Sequence, residues 1–383
     1  MKILYIVENR SAFKNTDNIG GYLSHVVGVI EAFKRLGHDV HIAAYGEIPY
    51  IDKNEFNYYY LNNKNPLLPV PGLRGFATQW NFISEIIRVI NDCNPDIVYL
   101  RWSGNLFLTR IKKKYPNIPI VVECNGVREQ SVNGNGEIKK RYMRLYDKQY
   151  IKNASVISAI TDDVRNFLLN RYSALTPDKI ITNPNGVDLQ KFRYIESDLR
   201  SDFNIPGEIP IIGFAGVFMP WHKVDVLIQA VQQIETDVRL LLIGKGKGEY
   251  ASYLQSLADQ KNGHRIIWSG VIPHNDIPIY LSICDILVVP QAKERPLGSS
   301  IKLFEYMATG RAVAAANVGQ LPEIIKNGEN GLIFEPDSDD LKRVLNRLIE
   351  DKPLREKLGK KAREDVEANY TWEANVTRIL NAL

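Results

Sequence analysis

Residues 210–244 read PIIGFAGVFMPWHKVDVLIQAVQQIETDVRLLLIG, and this stretch decides the fold class. Its two ends, 210–216 and 238–244, are mostly apolar, which is typical of strands buried on both faces of a parallel sheet. Between them, the segment near 223–235 has the apolar spacing of a helix that packs on a core. The stretch therefore predicts a strand, a helix and a second strand parallel to the first, joined by a right-handed crossover.

The same alternation of strands and helices continues on both sides of this stretch. Such repetition predicts doubly wound parallel sheets, the α/β class with Rossmann-like topology. The turn formers at 183–188 (NPNGVD) and 205–210 (IPGEIP) predict a break, so we expect one domain over 1–187 and a second over 188–365. We expect the two domains to face a central cleft, with ligands beyond the carboxyl ends of the strands. The other predicted strands lie at 2–7, 39–45, 96–101, 118–124, 155–160, 265–270, 285–290 and 311–317.

The composition excludes several classes of protein. The 383 residues carry 48 Lys and Arg against 44 Asp and Glu, a net charge of +4 that is too small to predict a nucleic-acid partner. Cys93, Cys124 and Cys284 are odd in number and lack metal-ligand spacing, which indicates a reducing compartment. The apolar run from Ile3 to Val7 is shorter than the ~7–15 residues of a signal-peptide core. We therefore expect a cytoplasmic protein.

One stretch interrupts the alternation of strands and helices. Residues 58–76 contain Pro66, Pro69 and Pro71, and prolines at this density predict irregular structure.

The segment GSSIKLFEYMATGRAVAAA (298–316) carries the strongest chemical signal. Gly298, Ser299 and Ser300 precede a predicted helix that begins at Ile301, and the free N–H groups of a helix start form a natural anion site. Lys302 in the first turn opposes the helix dipole, which is easier to explain if it neutralises a bound anion. One turn beyond Ile301, Glu305 could accept hydrogen bonds from ribose or sugar hydroxyls. The alternative is that Lys302 and Glu305 are simply exposed helix residues.

This segment resembles the donor-site signature S-P-x-K-L-F-E-Y-M-A-x-G-K-P-V of retaining GT-B glycosyltransferases, in glycosyltransferase family four. The resemblance implies two Rossmann-like domains, of which the first binds the acceptor, the second binds the nucleotide-sugar, and residues 366–383 form a helix that returns to the first. It also implies that Lys302 holds the diphosphate and Glu305 the ribose. Further segments that resemble the family lie, in the same order, at 19–26, 36–42, 183–192, 321–334 and 366–373.

The chain departs from the family pattern at two places. Where the family often has a glutamate eight residues before Glu305, this chain has Leu297. Where the family often has Arg and Lys after the first strand of the second domain, this chain has Val217 and His222, with Lys223 displaced by one position. We therefore expect Lys302 to supply most of the positive charge, with help from His222 or Lys223. The alternative is that Trp221 and His222 form a packed turn.

Three glycines are further candidates for the donor site. Gly20 and Gly21 follow the first strand, and Gly244 follows the strand at 238–244. Glycine allows the backbone to approach a phosphate closely, although such residues are often only turn formers. The GKGKG sequence at 244–248 lacks dinucleotide-fingerprint spacing, so NAD is not expected.

The expected acceptor site follows two strands of the first domain. Glu123 and Asn125 end the strand at 118–124, and Glu123 could orient or deprotonate an acceptor hydroxyl as a catalytic residue. Arg101 ends the preceding strand and could hold an acceptor phosphate. The competing interpretation is a structural ion pair between Arg101 and Glu123.

No metal and no cofactor are expected. The DSD sequence at 337–339 precedes a helical run, which favours helix capping over metal binding. The basic runs at 110–114 and 139–153 indicate either peripheral contact with an anionic membrane at the inner face of the cell membrane, or solvated helix faces.

The resemblance thus predicts a retaining, metal-independent enzyme that moves a hexose-class sugar from a nucleoside-diphosphate sugar to a hydroxyl. A glycan or lipid-linked acceptor in cell-surface glycan or glycolipid synthesis is expected. A nucleotide-sugar epimerase of the same architecture and a non-catalytic sugar-binding protein remain as alternatives.

Overall fold

A computed structural model describes residues 1–8, 21–62, 71–102, 108–126, 137–261, 263–293 and 299–383. The chain divides into unit 1, residues 1–184 and 372–383, and unit 2, residues 185–371. These boundaries differ from the expected 187/188 and 365/366. Val187 pairs with Thr371 within unit 2, and Val366 is buried in the core of that unit on a helix that continues to Asn369.

Unit 1 is built on a parallel sheet with the strand order β3-β2-β1-β4-β5-β6-β7. Five of the six residues of its first strand are buried, as expected for a strand covered on both faces. The strands are β1 (Lys2–Val7), β2 (Asp39–Ala44), β3 (Asn57–Tyr60), β4 (Ile97–Arg101), β5 (Ile120–Cys124), β6 (Val156–Ala159) and β7 (Ile180–Thr182). The helices are α1 (Gly21–Arg35), α2 (Pro71–Cys93), α3 (Leu108–Lys114), α4 (Glu137–Asn153) and α5 (Asp162–Arg171).

Unit 2 is built on a second parallel sheet with the order β10-β9-β8-β11-β12-β13, the strand order of a dinucleotide-binding Rossmann fold. The strands are β8 (Ile211–Ala215), β9 (Arg239–Ile243), β10 (Ile266–Gly270), β11 (Ile286–Val289), β12 (Ala312–Ala316) and β13 (Leu332–Phe334). The helices are α6 (Leu199–Asp202), α7 (Val224–Gln232), α8 (Gly248–Ala258), α9 (Ile277–Ser282), α10 (Ile301–Ala308), α11 (Leu321–Ile324), α12 (Ser338–Glu350) and α13 (Lys352–Asn369).

The strand order reverses once in each sheet. The reversal lies between β1 and β4 in unit 1, and between β8 and β11 in unit 2. At such a point the following connections pass to opposite faces of the sheet, which leaves a crevice at the carboxyl ends of the strands. Each unit therefore offers one place in its sheet where a ligand site is expected.

The proline-containing stretch is more regular than its sequence predicts. Residues 58–60 belong to β3, and Pro71 begins α2. Proline is tolerated in the first turn of a helix, where its missing N–H would have no partner. Pro66 and Pro69 lie outside the described residues. No helix in the described ranges is long and apolar enough to cross a membrane.

The last helix of the chain, α14 (Trp372–Asn381), completes the core of unit 1. Trp372, Val376 and Ile379 are buried in the same cluster as the apolar face of α1. Trp372 packs directly over Gly28 of α1, at a place where no larger side chain fits. The C-terminal segment is therefore a structural part of unit 1.

Replacing Gly28 by alanine should lower the free energy of unfolding by about 1–3 kcal/mol, because the new Cβ would overlap the rigid indole of Trp372. In an uncrowded helix the same change would be stabilising, since alanine has the higher helix propensity. Thermal unfolding followed by circular dichroism measures the difference. The control is Gly207→Ala, where an added Cβ meets no atom within 4 Å. Equal melting temperatures for the two variants would contradict the close packing of α14 on α1.

Candidate functional site

The start of α10 leaves its first backbone N–H groups uncapped. Ser300 is the N-cap residue, but its side chain makes no capping hydrogen bond to the described helix. The carbonyl oxygen of Ser299 accepts a hydrogen bond from Nδ2 of Asn185 at 3.3 Å, which holds the approach to the helix. Gly298 lies outside the described residues. Ser299, Ser300 and Ile301 thus stand at a helix end whose N–H groups are available to an anion.

Lys302 adds a second, independent feature at the same place. Its Nζ atom is closed off from solvent and finds no hydrogen-bond partner among the residues that the structure describes, and the same is true of Oγ of Ser299. The ammonium lies 4.3 Å from the centre of the Phe214 ring. Burial lowers the pKa of Lys302 to about 7, although the charge of Glu305 partly opposes this. Lys302 is therefore a buried lysine without a hydrogen-bond partner in the part of the chain that the structure describes, not an exposed helix residue.

Two glycines at strand ends make room for this lysine. A Cβ at Gly216 would lie 3.1 Å from Nζ of Lys302, and φ of Gly216 is 144°. A Cβ at Gly244 (φ 131°) would overlap the carbonyl oxygen of Gly216. The close approach of the ends of β8 and β9 therefore explains the glycine at position 244. Gly244 packs against Gly216, and Gly216 in turn lies next to Lys302.

A buried tyrosine fixes α10 against the sheet. The hydroxyl of Tyr306 accepts a hydrogen bond from the N–H of Ala215 at 2.6 Å and approaches its carbonyl oxygen at 3.3 Å. Because Tyr306 lies one turn after Lys302, this contact fixes where Lys302 lies along the helix relative to the end of β8.

His222 and Lys223 belong to a short turn near the same site. Nδ1 of His222 lies 2.6 Å from the carbonyl oxygen of Val217, which it must contact as a protonated donor. The His222 ring packs 6.1 Å from Phe214, the ring that lies beneath Lys302. Lys223 adopts a left-handed conformation with φ of 46° between this turn and α7. The packed turn is therefore present, and it lies next to the Lys302 site.

Glu305 lies next to His274, which in turn contacts Lys191, and the sequence did not single out either residue. Oε1 of Glu305 lies 3.4 Å from Nε2 of His274, and both side chains are largely buried, with 14% and 20% of their surfaces exposed. Nδ1 of His274 lies 2.6 Å from Nζ of Lys191. Lys191 stands in the 183–192 segment noted above, but it lies in a turn more than a hundred positions before Glu305, so no spacing rule links the two.

In unit 1, Glu123 is a buried carboxylate with several partners. Its Oε1 atom lies 2.7 Å from Nε2 of His25 and accepts a hydrogen bond from the Tyr99 hydroxyl at 2.6 Å. The Tyr5 hydroxyl approaches Oε2 at 3.5 Å. Only 2% of Glu123 is exposed. Burial raises its pKa, but His25, Arg101 and the Tyr99 hydrogen bond together bring the pKa below its usual value.

His25 is the residue in this cluster that sequence reasoning missed. It is buried on α1 and packs edge-on against Trp372, with the ring centres 5.1 Å apart. Along the chain it sits within the apolar spacing of α1, where a histidine is easily taken for a core position. The one available signal was its place in the second turn of the helix that follows the glycine pair.

Arg101 contacts Asn125 rather than forming an ion pair with Glu123, the competing interpretation above. In the amide orientation that satisfies both side chains, the Asn125 oxygen accepts from Nε of Arg101 at 2.7 Å and also from Nη2. The guanidinium lies over the ring of Tyr22, 4.3 Å from its centre. Among the described residues, the basic side chain in contact with the Glu123 carboxylate is His25, at 2.7 Å. The structure thus brings Arg101 and Asn125 together at the carboxyl ends of β4 and β5. Gly21 begins α1, and Gly20 lies outside the described residues.

Two family models match adjoining parts of the chain. The model described as Glycosyltransferase Family 4 matches residues 19–191, and the model described as Glycosyl transferases group 1 matches residues 196–365. The chain belongs to glycosyltransferase family 4. Its two Rossmann-like units give this glycosyltransferase the GT-B fold.

Individual relatives agree with this assignment. An uncharacterized glycosyltransferase of Methanocaldococcus jannaschii is 25% identical, over 93% of this chain and 94% of that protein. The sucrose-phosphate synthase of Thermosynechococcus elongatus is similar in structure, with a TM-score of 0.77, 22% identity, and coverage of 99% of this chain and 97% of that one. An Anabaena protein, HepE, crystallised with UDP-glucose, has a TM-score of 0.72 at 18% identity over the full length of both chains. At these identities the structural likeness supports the fold.

The DSD sequence of this glycosyltransferase is a helix cap, as its position predicts. Asp337 is the N-cap of α12, and its Oδ1 accepts from the N–H groups of Asp339 at 3.1 Å and Asp340 at 2.9 Å. No group of three or more His, Cys, Asp or Glu side chains within the described ranges is arranged to hold a metal ion. The three cysteines are all buried and unpaired with one another.

Substituting Glu123 by glutamine should cost about 1–3 kcal/mol of stability at pH 7, because the charge-assisted hydrogen bonds are lost. It should also change the pH dependence of unfolding. The pKa of Glu123 is lower in the folded state, so its contribution is complete above the unfolded pKa near 4.5 and disappears as the pH falls through the folded value. Urea unfolding from pH 7 down to pH 3 measures this.

The control for this experiment is Glu356→Gln, at an exposed position on α13. Wild type and Glu356→Gln should lose stability on acidification more steeply than Glu123→Gln. Parallel curves for all three proteins would show that Glu123 is not an ionised, hydrogen-bonded carboxylate in the folded state.

Proposed function

We propose that the protein transfers a hexose-class sugar from a nucleoside-diphosphate sugar to an acceptor hydroxyl, with retention of configuration and without a metal ion. Unit 2 binds the donor. The diphosphate lies against the uncapped start of α10, where Ser299, Ser300, Ile301 and Lys302 meet it, and Glu305 accepts hydrogen bonds from the ribose. Gly298 belongs to the same proposed loop by its place in the sequence.

The observation that carries this proposal is the Nζ atom of Lys302, which is buried in the first turn of α10 without a hydrogen-bond partner among the described residues. The Oγ atom of Ser299, just before the helix, likewise finds none in the described ranges. A cation buried at the positive end of a helix is unfavourable twice, through desolvation and through the helix dipole. A diphosphate removes both penalties, because it pairs with the ammonium and accepts from the helix N–H groups. An uncharged ligand would leave the cation as it is.

In the proposed reaction the acceptor hydroxyl attacks the anomeric carbon on the face from which the diphosphate departs. The bond from the anomeric carbon to the phosphate oxygen breaks, and the bond to the acceptor oxygen forms. The leaving phosphate oxygen takes the hydroxyl proton, so the products are the glycoside and the nucleoside diphosphate. Lys302 and the helix N–H groups stabilise the charge that grows on the leaving oxygen, which is the role of a metal ion in other transferases.

Unit 1 is proposed to bind the acceptor through Arg101 and Asn125. The Arg101 guanidinium is held flat by Tyr22 and Asn125, and a preorganised guanidinium suits a phosphate or carboxylate on the acceptor. Glu123 is enclosed by His25 and two tyrosines, so we propose that it orients His25 instead of acting as the base. Gly20, Gly21, His222 and Lys223 are proposed to line the donor side.

The acceptor is proposed to be a growing glycan or a lipid-linked sugar of the cell surface. The glycosyltransferase class and the anion-binding guanidinium support this, and the exposed lysines Lys113 and Lys114 on α3 are compatible with an anionic surface. Peripheral membrane contact, like the cytoplasmic location, stays a prediction.

Replacing Lys302 by methionine should have opposite effects on the free and the bound protein. The nucleotide-free protein should gain about 1–2 kcal/mol, because a buried unpaired charge is removed while the side-chain length is kept. Stabilisation by nucleotide should fall well below the ~2.7 kcal/mol expected at 100 times the dissociation constant. Thermal unfolding with UDP, GDP, ADP and CMP, recorded once with added Mg²⁺ and once in EDTA, measures both effects.

The matched control is Lys357→Met, at an exposed position on α13, which should change neither quantity. If folded wild-type protein is stabilised by none of the four nucleotides, the donor-site proposal is wrong. If stabilisation needs a divalent metal and disappears in EDTA, the metal-independent part of the proposal is wrong.

Nucleotide binding should also take up a proton above pH 7. The pKa of Lys302 is about 7 in the free protein, and a bound diphosphate must raise it towards the ordinary value of lysine. Binding should therefore weaken from pH 7 to pH 9 and take up as much as about one proton per site. Calorimetry in two buffers of different ionisation enthalpy counts the protons. Lys302→Met should show no uptake, and equal heats in both buffers for wild type would contradict the low pKa.

A further inference from the structure

Glu305 ends a chain of three side chains that come from three separate segments of unit 2. Lys191 lies in the turn at 189–191, His274 precedes α9, and Glu305 lies on α10. Nζ of Lys191 lies 2.6 Å from Nδ1 of His274 and donates to Oδ1 of Asn275 at 2.8 Å. Nε2 of His274 lies 3.4 Å from Oε1 of Glu305. None of the sequence patterns above assigns a role to Lys191 or His274.

The direction of this chain follows from the chemistry of its first member. A lysine ammonium is a donor only, so Nδ1 of His274 must be the acceptor and cannot carry a proton. The remaining proton of the neutral imidazole is then on Nε2, the atom that faces Glu305. The edge of the His274 ring also packs against Phe192, with the ring centres 5.6 Å apart, which restricts rotation of the ring. Lys191 therefore selects the histidine tautomer that presents an N–H to the carboxylate.

The Glu305 carboxylate is consequently engaged on one side only. Its Oε1 atom lies 3.4 Å from Nε2 of His274, and no other described side chain pairs with the Glu305 carboxylate. Burial lowers the pKa of Lys191, and the nearby charges of Glu305 and Asp188 oppose that change. A carboxylate fixed on one side and open on the other suits a ligand with a pair of adjacent hydroxyl groups.

We propose that Lys191 and His274 are positioning residues that hold Glu305 for the two hydroxyls of the donor ribose, and that they determine the preference for ribonucleotides over 2′-deoxyribonucleotides. This inference rests on the function proposed above. It adds to that function two specificity-determining residues that do not themselves touch the diphosphate.

The test compares the dissociation constants of UDP, GDP and ADP with those of their 2′-deoxy counterparts, measured by calorimetry on the full-length protein. Wild type should prefer the ribose form of the nucleotide it binds by about tenfold or more, because the 2′-deoxy form leaves a buried carboxylate oxygen unpaired. In Lys191→Met and His274→Phe this ratio should fall to about one to threefold, through weaker binding of the ribose form. His274→Gln, whose amide N–H can replace Nε2–H, should restore part of the ratio.

Lys302→Met is the control, because it should weaken both forms equally and leave their ratio unchanged. An unchanged ratio in both Lys191→Met and His274→Phe would overturn the inference, as would a wild-type protein that binds both forms equally. In those cases the nucleotide site itself survives. Absence of binding to any nucleotide would instead remove the proposed function together with the inference. Should His274→Phe fail to fold, Lys191→Met gives the same comparison alone.

Discussion

The buried ammonium of Lys302 is the constraint on which the design of unit 2 depends. A charge of this kind can be kept out of water only where the surrounding backbone is held rigidly, because the chain would otherwise relax to expose it. Gly216 and Gly244 provide the space, since any Cβ at these positions would crowd the lysine or the neighbouring strand end. Tyr306 then ties the helix to the end of β8. Together these residues hold one destabilising group, the buried ammonium of Lys302, in place. Such support is expected at a functional site.

Unit 1 contains a buried negative charge and unit 2 a buried positive charge, and the two differ in whether neighbouring groups compensate them. Glu123 in unit 1 is surrounded by donors, so its burial is compensated within the protein. Lys302 in unit 2 has a helix start and an aromatic ring for neighbours, and neither supplies a counter-charge. A compensated charge needs no ligand to explain it, whereas an uncompensated one does. This difference is the reason for assigning Glu123 an orienting role and Lys302 a binding role, although both charged groups lie near the carboxyl ends of parallel strands.

The parts of the molecule that could be predicted from sequence are those determined by local pattern. The strand–helix alternation predicts both sheets, and the helix that begins at Ile301 follows from the small residues before it. Lys302 and Glu305 could be singled out because their spacing on one helix is visible in the sequence. His25, Lys191 and His274 could not, because each reaches its partner across a long stretch of chain: 98 positions separate His25 from Glu123. The Arg101–Glu123 ion pair, the competing interpretation from the sequence, is not formed in the structure, for a related reason. Adjacent strands place the two residues side by side in the sheet, but side-chain direction then sends each to a different partner.

The order of charges along α10 follows from the physics of the helix and from the shape of the proposed ligand. The N–H groups and positive dipole end are strongest within the first turn, and Lys302 adds its charge there. Glu305 lies one turn later, farther from the position proposed for the diphosphate, so its negative charge repels that ligand less. A nucleoside diphosphate presents its charged phosphates and its neutral, donating ribose hydroxyls a few ångströms apart. One short helix can therefore contact both the phosphates and the ribose, provided that its lysine has no partner within the protein and that other residues hold its carboxylate in place. Lys191 and His274 satisfy the second condition. Lys302, which has no hydrogen-bond partner among the described residues, satisfies the first.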